Sequence, residues 1–281
     1  MKPSKRHRPI RHATERVLNT LLMKGWLAGL SYRLGGHGAL GVTRHELVLG
    51  PEQRLPRPLK IAFASDFHAG PTTHPALFDR LLEQLGRERP DLLLLGGDYI
   101  SFDAGNIRAL QGFLQGARAP LGVYAVLGNH DVWNGSDQIA AALVANGVEV
   151  LVNRNATLPA PFGSVSICGI DDPWTGSPSA EAAFAGAGAV QIYLTHSPDG
   201  LRCLTGQRFD LGFAGHTHGG QIVRSNGEPL KRPGGRYSRA YSHGRFEIDG
   251  NGPLLVSRGI GCAGIPLRVR ADPELVICTL R

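Results

Sequence analysis

Four consecutive leucines, Leu92 to Leu95, run into Gly96, Gly97 and Asp98. An apolar run this short, stopped by glycine, predicts a strand buried on both faces. Strands of that kind belong to largely parallel sheets covered on each side. The fold class that follows is α/β, and in such sheets ligands bind beyond the carboxyl ends of the strands. Asp98 therefore stands at the edge of a crevice. The two glycines before it allow a sharp turn and a close approach to its carboxylate.

The pattern recurs along the chain. Asp66-Phe67-His68 follows an apolar run that starts at Leu59, and Gly128-Asn129-His130-Asp131 follows another. His196 ends a third run, and Gly215-His216-Thr217-His218 ends a fourth. Five strand ends thus carry side chains of the kind that hold metal ions. Two divalent ions would need mixed oxygen and nitrogen ligands, open positions, and a group that bridges them. Asp66 and His68 form one pair, and the two oxygens of Asp98 suit a bridge. Asn129 supplies an amide oxygen, and His196, His216 and His218 supply imidazoles. His130 follows Asn129 directly, and an imidazole titrating near ~6.5 suits proton transfer around neutrality.

The intervening stretches supply the rest of an α/β chain. An edge strand is expected over Val42 to Leu49, and strands over Leu59–Ser65, Gly122–Leu127, Val148–Val152, Ser164–Ile170, Val190–Thr195 and Leu211–Ala214. Three more are expected over Arg245–Ile248, Leu254–Ser257 and Leu275–Leu280. Leu77, Leu81, Leu82 and Leu85 mark a helix over His74 to Arg89, and helices are also expected over Asn106–Ala117 and near Asp137–Asn146. Strands dominate the second half, which favours two sheets face to face in one domain.

The 281 residues are 42% hydrophobic and 19% charged, a globular composition. Of the net charge of +7, the first sixteen residues carry +5 through Lys2, Lys5, Arg6, Arg8, Arg11 and Arg16 against Glu15. The remainder is nearly neutral, which argues against a nucleic-acid binder. Leu18, Leu22, Trp26, Leu30 and Leu34 then fall at four-residue steps on one helical face. Lys24 makes the run too short to span a bilayer, and neither a cleavage site nor a twin-Arg motif marks it as a signal peptide. Two readings stand open: a helix lying in an anionic membrane interface, or one packed on the domain. The division expected is residues 1–40 as arm and helix and 41–281 as catalytic domain. Cys168, Cys203, Cys262 and Cys278 form no C-x-x-C pair and read as reduced thiols, which suits a reducing compartment.

Taken together, D-x-H, G-D, G-N-H-D, a lone His and G-H-x-H make the sequence resemble the calcineurin-like metallophosphoesterase family over residues 59–220. Gly219-Gly220-Gln221-Ile222, Ser257-Arg258-Gly259-Ile260-Gly261 and Pro266-Leu267-Arg268 extend the resemblance, over residues 42–281, to the bacterial membrane-associated phosphodiesterases of the YkuE and YaeI type. The resemblance implies a four-layer α/β/β/α sandwich, two central mixed sheets flanked by helices. It implies one ion on Asp66, His68, Asp98 and His218 and a second on Asp98, Asn129, His196 and His216. Mn, Fe, Zn or Co would each suit such sites. By the same resemblance His130 is the general acid or an electrostatic support, with Asp131 orienting it.

The function expected is hydrolysis of a phosphodiester or pyrophosphate, carried on a lipid or nucleotide, by a water acidified between the two ions. A nuclease of the same fold and a non-catalytic, metal-stabilised membrane-docking module are the alternatives. Arg258 and Arg268 are candidates for a bidentate phosphate fork. Asp171, Asp172 and Trp174 read as a turn that would at most border the pocket, and His74 and His243 as exposed. The protein is expected in the cytoplasm, peripheral on the inner face of the membrane.

Overall fold

The computed structural model describes residue 17 and residues 25–50, 52–231 and 234–281. Leu18, Leu22 and the basic arm lie outside the described residues.

Two six-stranded sheets form the middle of the molecule. The first takes β1 (Gly41–Leu47), β2 (Leu59–Ala64), β3 (Leu92–Leu95), β4 (Val123–Ala125), β5 (Glu149–Val150) and β12 (Glu274–Leu280), in the order β1-β12-β2-β3-β4-β5. The second takes β6 (Arg154–Thr157), β7 (Val165–Gly169), β8 (Val190–Leu194), β9 (Leu211–Ala214), β10 (Gly244–Phe246) and β11 (Leu254–Val256), in the order β10-β11-β9-β8-β7-β6. Both are mixed. β2, β3, β4 and β5 run parallel while β12 is antiparallel to β2. β7, β8, β9 and β11 run parallel while β6 and β10 are antiparallel to their neighbours.

The leucine run shows why the layers stack. Leu92 and Leu94 join Ile61, Phe63, Leu194 and Phe213 in the core between the sheets. Leu93 and Leu95 point the other way, toward α2 (Ala76–Glu88), α3 (Gln111–Gly116) and α5 (Ser136–Ala145), where Leu77, Leu81, Phe113 and Leu143 cover them. Alternation along a strand thus makes both faces apolar. Phe63 and Phe213 meet across the sheets with ring centroids 5.1 Å apart. On the far side of the second sheet, Cys168, Tyr193 and Ala214 pack with Ala180 and Phe184 of α6 (Ala180–Phe184). Tyr237 of α7 (Arg236–Ala240) adds to that layer. Helices, sheet, sheet, helices is the expected four-layer order.

Some local expectations change. The helix expected over Asn106–Ala117 is a 3-10 turn, Ala104–Leu110, followed by α3. The Asp103 carboxylate accepts the Gly105 N–H at 2.7 Å and starts the tight turn early. The short polar edge strand β6 carries no apolar run and was not anticipated. α1 (Trp26–Arg33) packs on the domain through buried Ala28 and half-buried Tyr32, whose ring stacks on His74 at 4.3 Å. Trp26, Leu30 and Leu34, the described part of the expected apolar face, point outward. The four cysteines are free thiols, and all but Cys203 are buried.

Candidate metal centre

All five motif stretches leave their strands at one end of the two sheets. The turns are tight: Asp66, His68, Asp98, His216 and His218 each have positive φ, between 46° and 72°. Backbone of this kind is uncommon outside glycine and gathers where a site must be held in one geometry. Two glycines make room for carboxylates. A Cβ on Gly128 would lie 2.2 Å from Asp98 Oδ1, and one on Gly215 would lie 2.4 Å from Asp66 Oδ2. Neither position admits another residue without moving a candidate ligand.

The side chains converge as two groups joined through Asp98. In the first, Asp66 Oδ1 is 3.4 Å from His218 Nε2, which is 3.0 Å from His68 Nε2. In the second, His196 Nε2 is 3.2 Å from Asn129 Oδ1 and 3.3 Å from His216 Nδ1. Asp98 Oδ2 stands between them, 3.6 Å from His68 Nε2 and 3.4 Å from His196 Nε2. The donor atoms of Asp66, His68 and His218 lie within 4.8 Å of one another, as do those of Asp98, His196 and His216. His130 also comes within that distance of His68 and Asp98.

The donor set fits cations. His196 Nδ1 lies 2.8 Å from the Gly96 carbonyl, which only accepts, so Nδ1 carries a proton. Its Nε2 lone pair then faces the oxygens of Asp98 and Asn129. Three acceptors meeting at one point call for a positive charge. A proton on Nε2 can stand in for that charge, and the titration tendencies follow it. Burial would lower the His196 pKa, but Asp98, Asp66 and Asp172 raise it well above the ordinary imidazole value. Burial would raise Asp98, but His196, His130 and His68 hold it well below the usual carboxylate range. Burial, opposed by His196 and reinforced by Asp98, pushes Asp66 up to about 6. Burial lowers His68 and His216 to about 3, so both imidazoles are neutral near pH 7 and free to act as ligands.

A second ring of groups holds the candidate ligands in place. Ser65 Oγ donates to Asp66 Oδ2 at 2.5 Å, and Ser101 Oγ lies 2.9 Å from His68 Nδ1. Trp174 stacks on His216 with centroids 5.7 Å apart, so the Asp171–Trp174 turn borders the site after all. Asp172 stays in the turn, accepting from Trp174 and Thr175. His130 sits half-buried at the start of α4 (Asn129–Asn134), edge-on to Trp133 and to His68. Its backbone N–H donates to Asp98 Oδ1 at 2.8 Å. The Gly-Asn-His-Asp stretch is therefore a helix start.

Three of the candidate residues are otherwise engaged. The Asp131 carboxylate is taken up by backbone N–H groups. It is buried at the third position of α4 and accepts the N–H groups of Asp98 and Gly128 at 2.8 Å and of Tyr99 at 2.9 Å. It fixes the turn that carries Asp98. Arg268 is no open phosphate fork, because its buried guanidinium donates to the Gly261, Ala271 and Arg258 carbonyls. It also lies 3.2 Å from His218 Nδ1, backing that ligand. Arg258 pairs with Glu274 at 3.1 Å, so its guanidinium is already engaged by a carboxylate. His74 is half-buried under Tyr32, and His243 is exposed as expected.

A cleft of about 530 Å³ opens over the cluster. Asn129, His130, His216 and His218 form its floor, and Trp133, Ile222, Leu230 and Ile265 its walls, with Lys231 at the side.

Residues 59–220 match the family described as calcineurin-like phosphoesterase. The chain is 29% identical to phosphodiesterase YaeI of Escherichia coli over 248 residues, which are 86% of this chain and 89% of that protein. It is 30% identical to the uncharacterized metallophosphoesterase YkuE of Bacillus subtilis over 203 residues, 70% of either chain. It is 28% identical to an uncharacterized metallophosphoesterase of Campylobacter jejuni over 231 residues, which are 81% of this chain and 60% of that longer protein.

Proposed function

Because the chain belongs to the calcineurin-like phosphoesterase family, a family of phosphoric-ester hydrolases, we propose that it cleaves a phosphodiester or pyrophosphate with two divalent ions held across Asp98. The observation that carries this reading is the position of Asp98 Oδ2, within 3.6 Å of His68 and 3.4 Å of His196. One carboxylate oxygen thereby belongs to two donor groups at once. Asp66, His68, Asp98 and His218 would hold one ion, and Asp98, Asn129, His196 and His216 the other. Mn, Fe, Zn or Co each suit this mixture of nitrogen and oxygen donors. When bound, such ions supply Lewis acidity toward phosphoryl oxygens and toward water.

The chain's own residues do the remainder. His130, on the floor of the cleft, gives a proton to the leaving oxygen. Asp131 keeps the Asp98 turn rigid from behind. Trp133 and Trp174 fix the rings of His130 and His216 and narrow the space open to water. The name of the YaeI relative favours a diester. Residues 1–40 are assigned as an arm that rests on an anionic membrane surface, with the catalytic domain spanning 41–281. Among the described residues no helix is long and apolar enough to cross a membrane, and a peripheral place on the inner face of the cytoplasmic membrane suits such an arm.

The test is metal content and turnover of Asp98→Asn. The variant should lose at least one ion and fall to background on bis(p-nitrophenyl) phosphate. Full occupancy with full rate would refute the two-ion reading.

A further inference from the structure

Ten large apolar side chains are exposed among the described residues, and six of them gather beside the cleft. Among the described residues, Trp26, Leu30, Leu34, Leu230, Ile265 and Leu267 are exposed by 61%, 43%, 77%, 58%, 48% and 38%. These six lie on three stretches: α1 with its cap, residue 230, and residues 265–267. Leu230 and Ile265 form part of the cleft wall. Trp26, Leu30 and Leu34 lie on α1 and its cap, which touch the 265–268 segment directly. Ser31 Oγ donates to the Pro266 carbonyl, and Arg268 N donates to the Gly36 carbonyl at 2.7 Å. A Cβ on Gly36 would lie 3.2 Å from Leu267 Cδ1.

Packing of α1 leaves this surface unexplained. Ala28 and Tyr32, one helical turn apart, already face the domain. Trp26 and Leu30 share the opposite face, and Leu34 continues it. A helix apolar on both faces is covered on both in its working state. Charge indicates by what. Arg33, Lys231 and Arg270 are exposed on the same stretches, and the first sixteen residues carry six basic residues against one acid. Glu228 is the one acid within residues 26–34, 228–231 and 263–270. Apolar side chains ringed by cations match an anionic bilayer surface.

The cleft sits on the same rim. Its volume of about 530 Å³ is of a size that holds a whole small-molecule ligand, far more than a phosphate fills. Leu230 and Ile265 line the cleft together with the ligand candidates, so a substrate that leaves the cluster along them meets hydrocarbon.

We propose that the helix face and the 265–267 loop form a bilayer-docking rim, and that the substrate is an amphiphile whose phosphoester reaches the cluster while its acyl part remains in the lipid along Leu230 and Ile265. The proposal rests on the phosphohydrolase reading and narrows its substrate class.

The experiment compares the full metal-loaded chain with a variant carrying Trp26→Ser, Leu30→Ser and Leu267→Ser, all on exposed positions, with folding checked by circular dichroism. Co-sedimentation is measured on vesicles of phosphatidylcholine with phosphatidylglycerol. Turnover is measured on a nucleoside-diphosphate diacylglycerol in those vesicles and on bis(p-nitrophenyl) phosphate in solution. The wild type should sediment with the vesicles, and the variant should lose at least about tenfold in both vesicle affinity and the lipid-to-soluble turnover ratio, as burial of three apolar side chains requires. Equal sedimentation of the two proteins, or an unchanged ratio, overturns the proposal. A wild type that ignores vesicles and dimerises through these residues also overturns it, and assigns the rim to a second copy. If neither phosphoester is turned over, the hydrolase reading fails, while sedimentation still decides the rim.

Discussion

At the scale of single residues, the centre separates groups that do chemistry from groups that hold them. His130 and Asp131 are neighbours in sequence with opposite assignments. His130→Ala should keep both ions and lose roughly 10²–10⁴-fold in turnover, the usual worth of a general acid. The loss should be smaller with a nitrophenyl leaving group than with an alkyl one, which needs the proton more; equal losses would make His130 an electrostatic support. Asp131→Asn should behave differently. An amide cannot accept three backbone N–H groups as the carboxylate does. The expected cost is about 1–3 kcal/mol for a buried donor left unmade, with weaker metal binding and no dependence on the leaving group. A leaving-group dependence in Asp131→Asn would restore the orienting role the sequence suggested.

At the scale of elements, what was legible is what buried strands write into a sequence. Each parallel strand shows as an apolar run, and its end is marked by glycine and ligand types, so the ligand candidates were readable as a set. The supporting groups were not, since Ser65 and Ser101 are ordinary residues until the turns bring them inward, and Trp174 read as part of a turn that would at most border the pocket. The start of α4 was masked because Gly-Asn-His-Asp is also turn chemistry. The loop after α1 hides another such residue. His37 is buried, with Nε2 3.2 Å from the Thr72 carbonyl, and burial lowers its pKa to about 4. The unfolded chain, with an ordinary value of 6.5, then binds the extra proton between those limits. His37 therefore adds nothing to pH sensitivity above 6.5, and stability falls as the pH drops from there toward 4, by up to about 3 kcal/mol. Metal-free His37→Gln should lose stability less steeply over that window. Parallel slopes for wild type and variant, in denaturant midpoints against pH, would dismiss the assignment.

At the scale of the whole molecule, the chain closes on itself in a way that no local pattern reveals. The last strand, β12, lies between β1 and β2, pairing with β1 in parallel and with β2 in antiparallel register. Pairings this distant are set by the tertiary fold. They bring the α1 region against residues 265–268 and so toward the ligands. Gly36 O holds Arg268 N, and the Arg268 guanidinium backs His218. Removal of residues 1–40 should therefore do more than weaken the proposed membrane contact. It uncovers the patch that Ala28 and Tyr32 cover, at about 2–4 kcal/mol, and frees the segment that carries Arg268. The truncated protein should melt several degrees lower and bind the ion at Asp66, His68 and His218 more weakly, while the Asp98, His196 and His216 group, which α1 does not brace, should be affected less. Calorimetry and metal titration of the truncated chain measure both effects. An unchanged melting temperature with two equally tight ions would mean that residues 1–40 serve the surface alone and that the Arg268 support stands without them.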